Sequence, residues 1–432
     1  MFGSGIASID GTWRFSITNH IRRDSIPFFK PTIGDEEIQE VVATLKSGWL
    51  TTGPRAQRFE LEFAAAVGAR HAVAVNSCTA ALHLALDALG LQPGQAVLVP
   101  TMTFAATANV VRHMGAIPIL VDCLPDTFLL DLRDAARKLD ALRACELGPI
   151  PPETKVVGII PVHVGGLMMD MDEVHAFASR HGLFVVEDAA HGFPAAWRRA
   201  ESEAWRRCGE GTAAVSCFSF YANKTITTGE GGMAVTNSPE LASRMRQMSL
   251  HGLSHSAWKR YMGTGSWDYA IEAPGFKYNL TDVAAAIGLH QLARAEAFRR
   301  SREAIAVRYI ERLALIDAVE PPPNPMNRMH AWHLFPLRLR LDRIAIDRNT
   351  FFEEMRQRGI GCSVHWRPLH LHPYYQNTFG WTPEQLPCAT SIFDREISLP
   401  LFPSMTPTQV EAVVGAVEET VNIRASAHEA TA

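Results

Sequence analysis

A lysine and an aspartate at the ends of two apolar runs are the residues of this chain best suited to chemistry. Residues 183–192 read LFVVEDAAHG, so Asp188 ends one strand-like run and His191 follows three residues later. Residues 216–232 read SCFSFYANKTITTGEGG, and Lys224 lies in the small-residue loop that ends a second such run. Glycines in that loop allow a ligand to approach the backbone closely. An acid and an amine placed in this way suit pyridoxal 5′-phosphate.

Pyridoxal phosphate chemistry needs these two residue types for separate reasons. A lysine whose pKa is lowered by burial forms a Schiff base with the cofactor aldehyde and then moves the substrate α-proton as a base. A carboxylate beside the pyridine nitrogen keeps that nitrogen protonated, so that the ring accepts electrons. Lys224 and Asp188 are the candidates, and His191 is near enough in sequence to hydrogen-bond the ring oxygen or to orient the acid. Taken alone, each residue is more often a surface lysine or a structural strand-end acid.

Two further segments offer a phosphate site and a stacking aromatic. Residues 71–90, HAVAVNSCTAALHLALDALG, predict a strand that leads into a helix, with Thr79 near the helix start. A helix N-terminus attracts anions and the Thr79 hydroxyl adds a donor for the cofactor phosphate, although ordinary N-capping explains a serine or threonine there equally well. Phe104 follows a predicted strand and the Pro100 turn, where it either stacks on the pyridine ring or belongs to the core.

These elements occur with further motifs in an order that resembles one enzyme family. From about Pro27 to Val421 the chain is similar to the DegT/DnrJ/EryC1/StrS family of nucleotide-sugar aminotransferases. The segments that carry the resemblance are GWLTTGP at 48–54, NSCTAALHLAL at 76–86, PVHVGG at 161–166, EDAAH at 187–191, FSFYANKTITTGEGG at 218–232, PGFKYNLTDVAAAIGLHQL at 274–292, HAWHLF at 330–335, HWRPLHLHPYY at 365–375 and SLPLFPSMT at 398–406. So many motifs in the same order are highly specific.

The resemblance implies a role for each candidate site residue. It makes Lys224 the residue that binds the cofactor covalently, Asp188 the partner of the pyridine nitrogen and His191 a contact of the ring oxygen. It makes Asn279 a ligand of the cofactor phosphate in the neighbouring subunit, which implies a homodimer with shared active sites. The remaining positions that match cofactor contacts of the family are Thr79, Ala80, Ser219 and Phe104.

The expected fold is α/β, of the aspartate aminotransferase type (fold type I), as the family resemblance implies. Strand-like runs alternate with amphipathic helices from about residue 30 to 250, which is typical of a mostly parallel sheet covered on both faces. The carboxyl ends of such strands gather active-site residues. We expect an N-terminal extension at 1–26, a large cofactor-binding domain at 27–280, a long helix with a smaller α+β domain at 281–423, and a tail at 424–432.

The expected reaction is ping-pong transfer of an amino group from glutamate, which becomes 2-oxoglutarate, to C4 of a nucleotide-linked 4-keto sugar. A UDP-sugar is the first choice, and the resemblance places the reaction in polysaccharide, glycan or secondary-metabolite sugar biosynthesis. The segments TITTGEGG at 225–232, HGLSHSAWKRY at 251–261 and GFKYN at 275–279 resemble C4-aminating members more than the C3 group. The alternatives are an aminotransferase for C3-keto sugars or aminocyclitols and a non-enzymatic regulator with the same fold. A sugar dehydratase of the family would have histidine in place of Lys224.

Composition argues against several other classes of protein. The 432 residues, 47% of them hydrophobic, suffice for a large core, and a net charge of -4 with both signs scattered argues against a nucleic-acid partner. No apolar stretch reaches membrane-spanning length, and residues 1–26 lack the apolar core of a signal peptide. Seven cysteines without a C-x-x-C motif indicate reduced thiols in a cytoplasmic protein. His365, His370 and His372 lie close in sequence, but without zinc-site spacing we expect no metal site.

Overall fold

The computed structural model describes residues 25–254 and 270–423 of the chain. Residues 1–24 of the expected extension, residues 255–261 of the HGLSHSAWKRY segment and the expected tail lie outside these ranges. The helices are α1 (Asp35–Ser47), α2 (Pro54–Val67), α3 (Cys78–Ala88), α4 (Ala106–His113), α5 (Leu132–Arg143), α6 (Met171–His181), α7 (Pro239–Ser249), α8 (Asp282–Leu313), α9 (Arg348–Gln357), α10 (Pro373–Phe379), α11 (Pro387–Arg395) and α12 (Pro407–Val421).

The strands alternate with these helices along most of the described chain. They are β1 (His71–Val75), β2 (Ala96–Pro100), β3 (Ile117–Val121), β4 (Val156–Ile159), β5 (Phe184–Asp188), β6 (Ala196–Trp197), β7 (Arg206–Arg207), β8 (Val215–Ser219), β9 (Gly232–Thr236), β10 (Val319–Glu320), β11 (Arg328–Met329), β12 (Phe335–Leu339) and β13 (Glu396–Leu399). Within the described ranges, the largest sheet has seven strands in the order β1-β9-β8-β5-β4-β2-β3.

The central sheet is mostly parallel, and its polarity decides where an active site can form. Only β9 runs antiparallel to its described neighbours, β1 and β8, while β8, β5, β4, β2 and β3 pair in parallel. The runs VLVP and VSCF are buried on both faces, as expected for strands covered by helices on both sides. The strands β1, β2, β5 and β8 therefore end at one edge of the sheet, and β9 begins there.

Two large groups of buried hydrophobic side chains lie in the described chain. The larger surrounds the central sheet, and the second includes β12, β13, α9 and α12. Helix α8 supplies buried residues to both, through Leu289 and Phe298 to the first and Ile305 and Tyr309 to the second. The sheet confirms the expected α/β class, whereas the expected domain boundaries remain predictions. None of the helices in the described ranges combines the length and apolarity needed to cross a bilayer.

Candidate active site

Lys224 lies in the loop between β8 and β9, at the edge where the parallel strands end. Its backbone N–H donates to the Tyr221 carbonyl at 2.9 Å, which holds the residue in a tight turn. The residue is half-buried, and the protein around its amine lowers the Lys224 pKa to about 8 from 10.5. Cys78 and Asp188 act in the opposite direction on that pKa, so both lie near the amine.

Asp188 ends β5 and is only 5% exposed. The Thr107 hydroxyl donates to its Oδ2 at 2.7 Å, and the Ala190 N–H donates to its Oδ1 at 3.1 Å. Burial raises the pKa of this carboxyl, and these two hydrogen bonds together with the charge of Lys224 oppose that rise. Among the described residues, no cation comes within ion-pair distance of the carboxylate. A buried carboxylate without a cation is costly, so the site fits a ligand that brings a positively charged N–H, as a protonated pyridine nitrogen does.

His191 is buried in a group of aromatic rings beside the lysine. Its ring centroid lies 4.1 Å from that of His333 and 5.3 Å from that of Trp366, with the Trp366 ring stacked on it. Burial and the nearby Lys224 amine lower the pKa of His191 well below its ordinary value, so the ring is neutral. The Gly165 N–H donates to its Nδ1 at 3.2 Å, which places the ring proton on Nε2. His191 can therefore donate one hydrogen bond through Nε2.

A second polar cluster lies behind Asp188, and sequence reasoning did not identify it. Neighbouring residues of a strand face opposite ways, so Glu187 lies on the other side of β5. The Ser216 hydroxyl donates to Glu187 at 2.8 Å, and the His163 Nε2 lies 3.8 Å from the same carboxylate oxygen. With Cys208 these residues bring three potential metal ligands together. The motifs PVHVGG and EDAAH contain His163 and Glu187, but nothing in their spacing shows that the two side chains meet.

The start of α3, where the sequence predicts the phosphate site, lies beside the first residue of β9. Ser77 caps the helix by accepting the Ala80 N–H at 3.1 Å, so the capping side chain is Ser77 rather than Thr79. A Cβ added at Gly232 would lie 2.4 Å from the Ser77 carbonyl carbon. Glycine is therefore required for β9 to approach the helix start so closely. The first N–H groups of a helix have no acceptor within it and suit a phosphate.

The remaining candidates lie at the same edge of the sheet. Ser219 ends β8, where its Oγ accepts the Tyr221 N–H at 3.4 Å. Asn279 forms a β-bridge with Val75, the last residue of β1, and its amide donates to the Thr52 hydroxyl at 2.6 Å. Phe104 is 65% exposed, so it is not a core residue of this chain. The structure thus brings the candidate residues to one edge, and their individual roles remain predictions.

Comparison with known proteins identifies the group to which this chain belongs. The profile of the DegT/DnrJ/EryC1/StrS aminotransferase family matches residues 31–418. The spore coat polysaccharide biosynthesis protein SpsC of Bacillus subtilis is 45% identical over 401 residues, which cover 93% of this chain and 98% of SpsC. The putative sugar aminotransferase Spr1654 of Streptococcus pneumoniae, in its PMP-form, superposes with a TM-score of 0.81 at 30% identity and covers 92% of this chain and 99% of Spr1654.

A third relative is also similar to this chain in structure. Spr1654 has in addition been solved in a PLP-form. DesV of S. venezuelae superposes with a TM-score of 0.77 at 32% identity, over 90% of this chain and 95% of DesV. These matches span nearly the whole described chain, and they confirm the fold type I architecture, the enzyme class and the cofactor expected from the sequence. The chain therefore belongs to the DegT/DnrJ/EryC1/StrS family of pyridoxal-phosphate-dependent aminotransferases.

Proposed function

We propose that this protein transfers an amino group from glutamate to C4 of a nucleotide-linked 4-keto sugar, with a UDP-sugar as the first choice. The observation that carries the proposal is the pair at the sheet edge, an amine with a pKa of about 8 near a buried carboxylate that forms no ion pair among the described residues. The same pair, with the aligned family match, argues against a non-enzymatic regulator. The proposal extends to biosynthesis of a polysaccharide, another glycan or an amino-sugar metabolite.

Each residue of the pair has a separate task in this proposal. Pyridoxal phosphate, when bound, supplies an aldehyde that takes up the amino group and a ring that accepts electrons. The Lys224 amine, with its lowered pKa, gives and takes the substrate α-proton near neutral pH. Asp188 holds a proton on the pyridine nitrogen, and the neutral His191 donates its Nε2–H to the ring oxygen. The helix start at Thr79 and Ala80, together with Ser219, binds the phosphate, and Phe104 stacks on the ring.

The sugar substrate is proposed from the relatives and from sequence motifs. SpsC is a spore coat polysaccharide biosynthesis protein, and Spr1654 is described as a putative sugar aminotransferase. The preference for C4 over C3 comes from the TITTGEGG and GFKYN segments, which resemble C4-aminating members. For the nucleotide, we place UDP first and dTDP and GDP after it.

A homodimer with shared active sites also belongs to the proposal. Helix α1 exposes an apolar stripe at Ile38, Val42 and Leu45, which are 54%, 41% and 54% exposed. Phe104 and Tyr221 are exposed at the edge that carries Lys224. Apolar side chains exposed around a catalytic site are expected where a second copy of the chain completes it.

A half-reaction panel tests the proposed substrates. The protein loaded with pyridoxal phosphate is mixed separately with glutamate, 4-amino and 3-amino nucleotide sugars, and an aminocyclitol, while the absorbance of the bound cofactor is followed. We expect glutamate and a 4-amino UDP-sugar to change the spectrum. A response to 3-amino sugars alone, or to the aminocyclitol alone, would replace the C4 assignment, and silence towards every amine would favour the regulator. Borohydride reduction and peptide mapping of the same sample should find the pyridoxyl group on Lys224.

A further inference from the structure

A closed hydrogen-bonded chain joins His365 to a buried carboxyl group on β13. The His365 Nδ1 lies 2.9 Å from the Ser398 hydroxyl, which in turn lies 2.6 Å from the Glu396 Oε1. The backbone N–H of His365 donates to the other carboxyl oxygen of Glu396 at 2.8 Å. Glu396 and Ser398 are both almost completely buried. The carboxyl group therefore holds the backbone of His365 directly and its ring through one hydroxyl.

The ring of His365 belongs to the aromatic group beside Lys224. It contacts Trp366 edge to face at 5.5 Å, and Trp366 stacks on His191. Phe28 also stacks on the His365 ring, with the ring centroids 5.4 Å apart. Burial, and after it the Lys224 amine, lower the pKa of His365 to about 3, so the ring is neutral near neutral pH. What can still change is the nitrogen that carries its single proton.

The protonation state of Glu396 decides which nitrogen that is. When Glu396 is ionised, Ser398 donates to it, the hydroxyl oxygen accepts from Nδ1–H, and Nε2 is an acceptor. When Glu396 carries a proton on Oε1, it donates to Ser398, the hydroxyl donates to Nδ1, and Nε2 carries the ring proton. Among the described residues, Nε2 has no hydrogen-bond partner of its own. It is therefore the ring nitrogen left for a ligand.

The groups around Glu396 determine the pH at which its carboxyl group gains or loses a proton. Burial raises the pKa of Glu396 to about 8, and the Ser398 hydroxyl, the His365 N–H and the charge of Arg348 oppose that rise. The thiol of Cys362 is also close, and burial raises the pKa of that thiol far above its ordinary value. Arg338 lies opposite Glu396 across the two strands, but its guanidinium binds Glu320 and Asp126 instead.

We infer that Glu396 and Ser398 are positioning residues that set the tautomer of His365, and that the His365 Nε2–H donates to a phosphate oxygen of the sugar nucleotide. The tautomer part stands on the hydrogen-bonded chain alone, whereas the substrate part rests on the proposed function. Below the pKa of Glu396 the site offers a donor to the sugar nucleotide. Above that pKa it offers an acceptor, which repels the same oxygen.

Nitrogen-15 NMR of histidine-labelled protein without cofactor tests the tautomer directly. We expect the His365 proton to move from Nε2 to Nδ1 as pH rises through about 8. In Glu396→Gln the amide N–H₂ replaces the carboxyl proton as donor to Ser398, so the Nε2–H form should persist at high pH. His370 is an internal reference. Its two ring nitrogens each lie 2.8 Å from a threonine hydroxyl, of Thr101 and of Thr390, and neither contact is to a carboxyl group. A His365 signal that is unchanged through this range, or one that changes equally in Glu396→Gln, would overturn the tautomer assignment.

Half-reaction rates test the substrate part separately. Lys224 acts in both half-reactions, so the ratio of the sugar rate to the glutamate rate removes its own titration. We expect this ratio to fall about tenfold above the Glu396 pKa in the wild type, as for one lost hydrogen bond to a charged or polar group, and to stay level in Glu396→Gln. Ser398→Ala breaks the hydrogen-bonded chain without changing a carboxyl group, so it should abolish the pH dependence of the ratio. This variant replaces Glu396→Gln in the test if Glu396→Gln does not fold. If the NMR change is present but the rate ratio of the wild type does not vary with pH, the contact with the sugar nucleotide is rejected. If the protein does not turn over the sugar nucleotide at all, only the proposed function is rejected.

Discussion

At the scale of single residues, burial moves Lys224 and Asp188 towards their uncharged forms. The pKa of the amine falls and that of the carboxyl rises, each chiefly because water is excluded from the charged group. Their mutual attraction opposes both shifts but does not reverse them. A group whose ionised form is disfavoured in the folded chain costs stability unless a ligand supplies the missing partner.

This cost predicts that Lys224→Met stabilises the protein without cofactor. The lysine binds a proton less readily in the folded chain, so its penalty is complete below about pH 8 and disappears as pH rises towards 10.5, the ordinary pKa. The full shift corresponds to roughly 3 kcal/mol, and partial exposure reduces it, so we expect a gain of about 1–2 kcal/mol at neutral pH. Urea unfolding of both proteins at several pH values measures this gain. A gain that grows from pH 8 upwards would contradict the prediction.

Asp188 is predicted to matter through its charge. Asp188→Asn keeps the shape and the hydrogen bond from Thr107 but cannot hold a proton on the pyridine nitrogen. We expect turnover to fall by on the order of a hundredfold or more, while the phosphate contacts still retain the cofactor. Thr107→Val is the matched comparison, since it removes only the 2.7 Å donor to Asp188 and should cost much less. Near-normal turnover in Asp188→Asn would place the essential acid elsewhere.

At the scale of elements, the close approach of β9 to the start of α3 shapes the proposed phosphate site. Gly232→Ala would bring a Cβ within 2.4 Å of the Ser77 carbonyl carbon and 2.6 Å of the Cys78 nitrogen. Both are backbone atoms that cannot move aside, so the helix start must shift. We expect a weaker affinity for pyridoxal phosphate, by about tenfold or more, and a loss of stability of roughly 1–3 kcal/mol.

A matched glycine shows whether the effect of Gly232→Ala is specific. Gly415 lies inside α12, and an added Cβ there would meet nothing within 4 Å. Gly415→Ala should therefore stabilise the protein by up to about 1 kcal/mol through helix propensity and leave cofactor binding unchanged. Fluorescence titration with pyridoxal phosphate and thermal melts compare the two variants. Equal cofactor affinity in both variants would show that the helix start is not the phosphate site.

The elements were largely predictable because each has a local signal. The alternating and buried runs predicted the parallel sheet, and the Asp188 and Lys224 runs end at its carboxyl edge as expected. Contacts between segments far apart in sequence were not predictable in this way. Thr107 contacts Asp188 from α4. His365 contacts Glu396 and Ser398 although more than 30 residues separate them in sequence, and no local sequence preference indicates that contact. The capping role of Ser77 instead of Thr79 depends on a helix boundary that differs by two residues, which sequence patterns do not resolve.

At the scale of the whole molecule, the exposed apolar residues argue for a second copy. Ile38, Val42 and Leu45 follow one another at helical spacing on the solvent side of α1. A chain that stayed monomeric would leave this stripe and the ring of Phe104 in water. Asn279 lies at the end of β1 with its amide already bonded to Thr52. A second copy that reaches across the edge would bring its own Asn279 to the phosphate site of the first.

Hybrid dimers of two inactive variants test this arrangement. One subunit with Asn279→Ala keeps Lys224, and its partner with Lys224→Ala keeps Asn279. If Asn279 acts across the interface, each hybrid has one intact site, and random mixing of equal amounts should restore about a quarter of the wild-type activity. If Asn279 acts within its own chain, every site in the hybrid lacks one of the two residues and mixing restores nothing. Mass spectrometry of the mixed sample must show that the subunits have exchanged. Once hybrids are present, restored activity depends only on which chain supplies the asparagine.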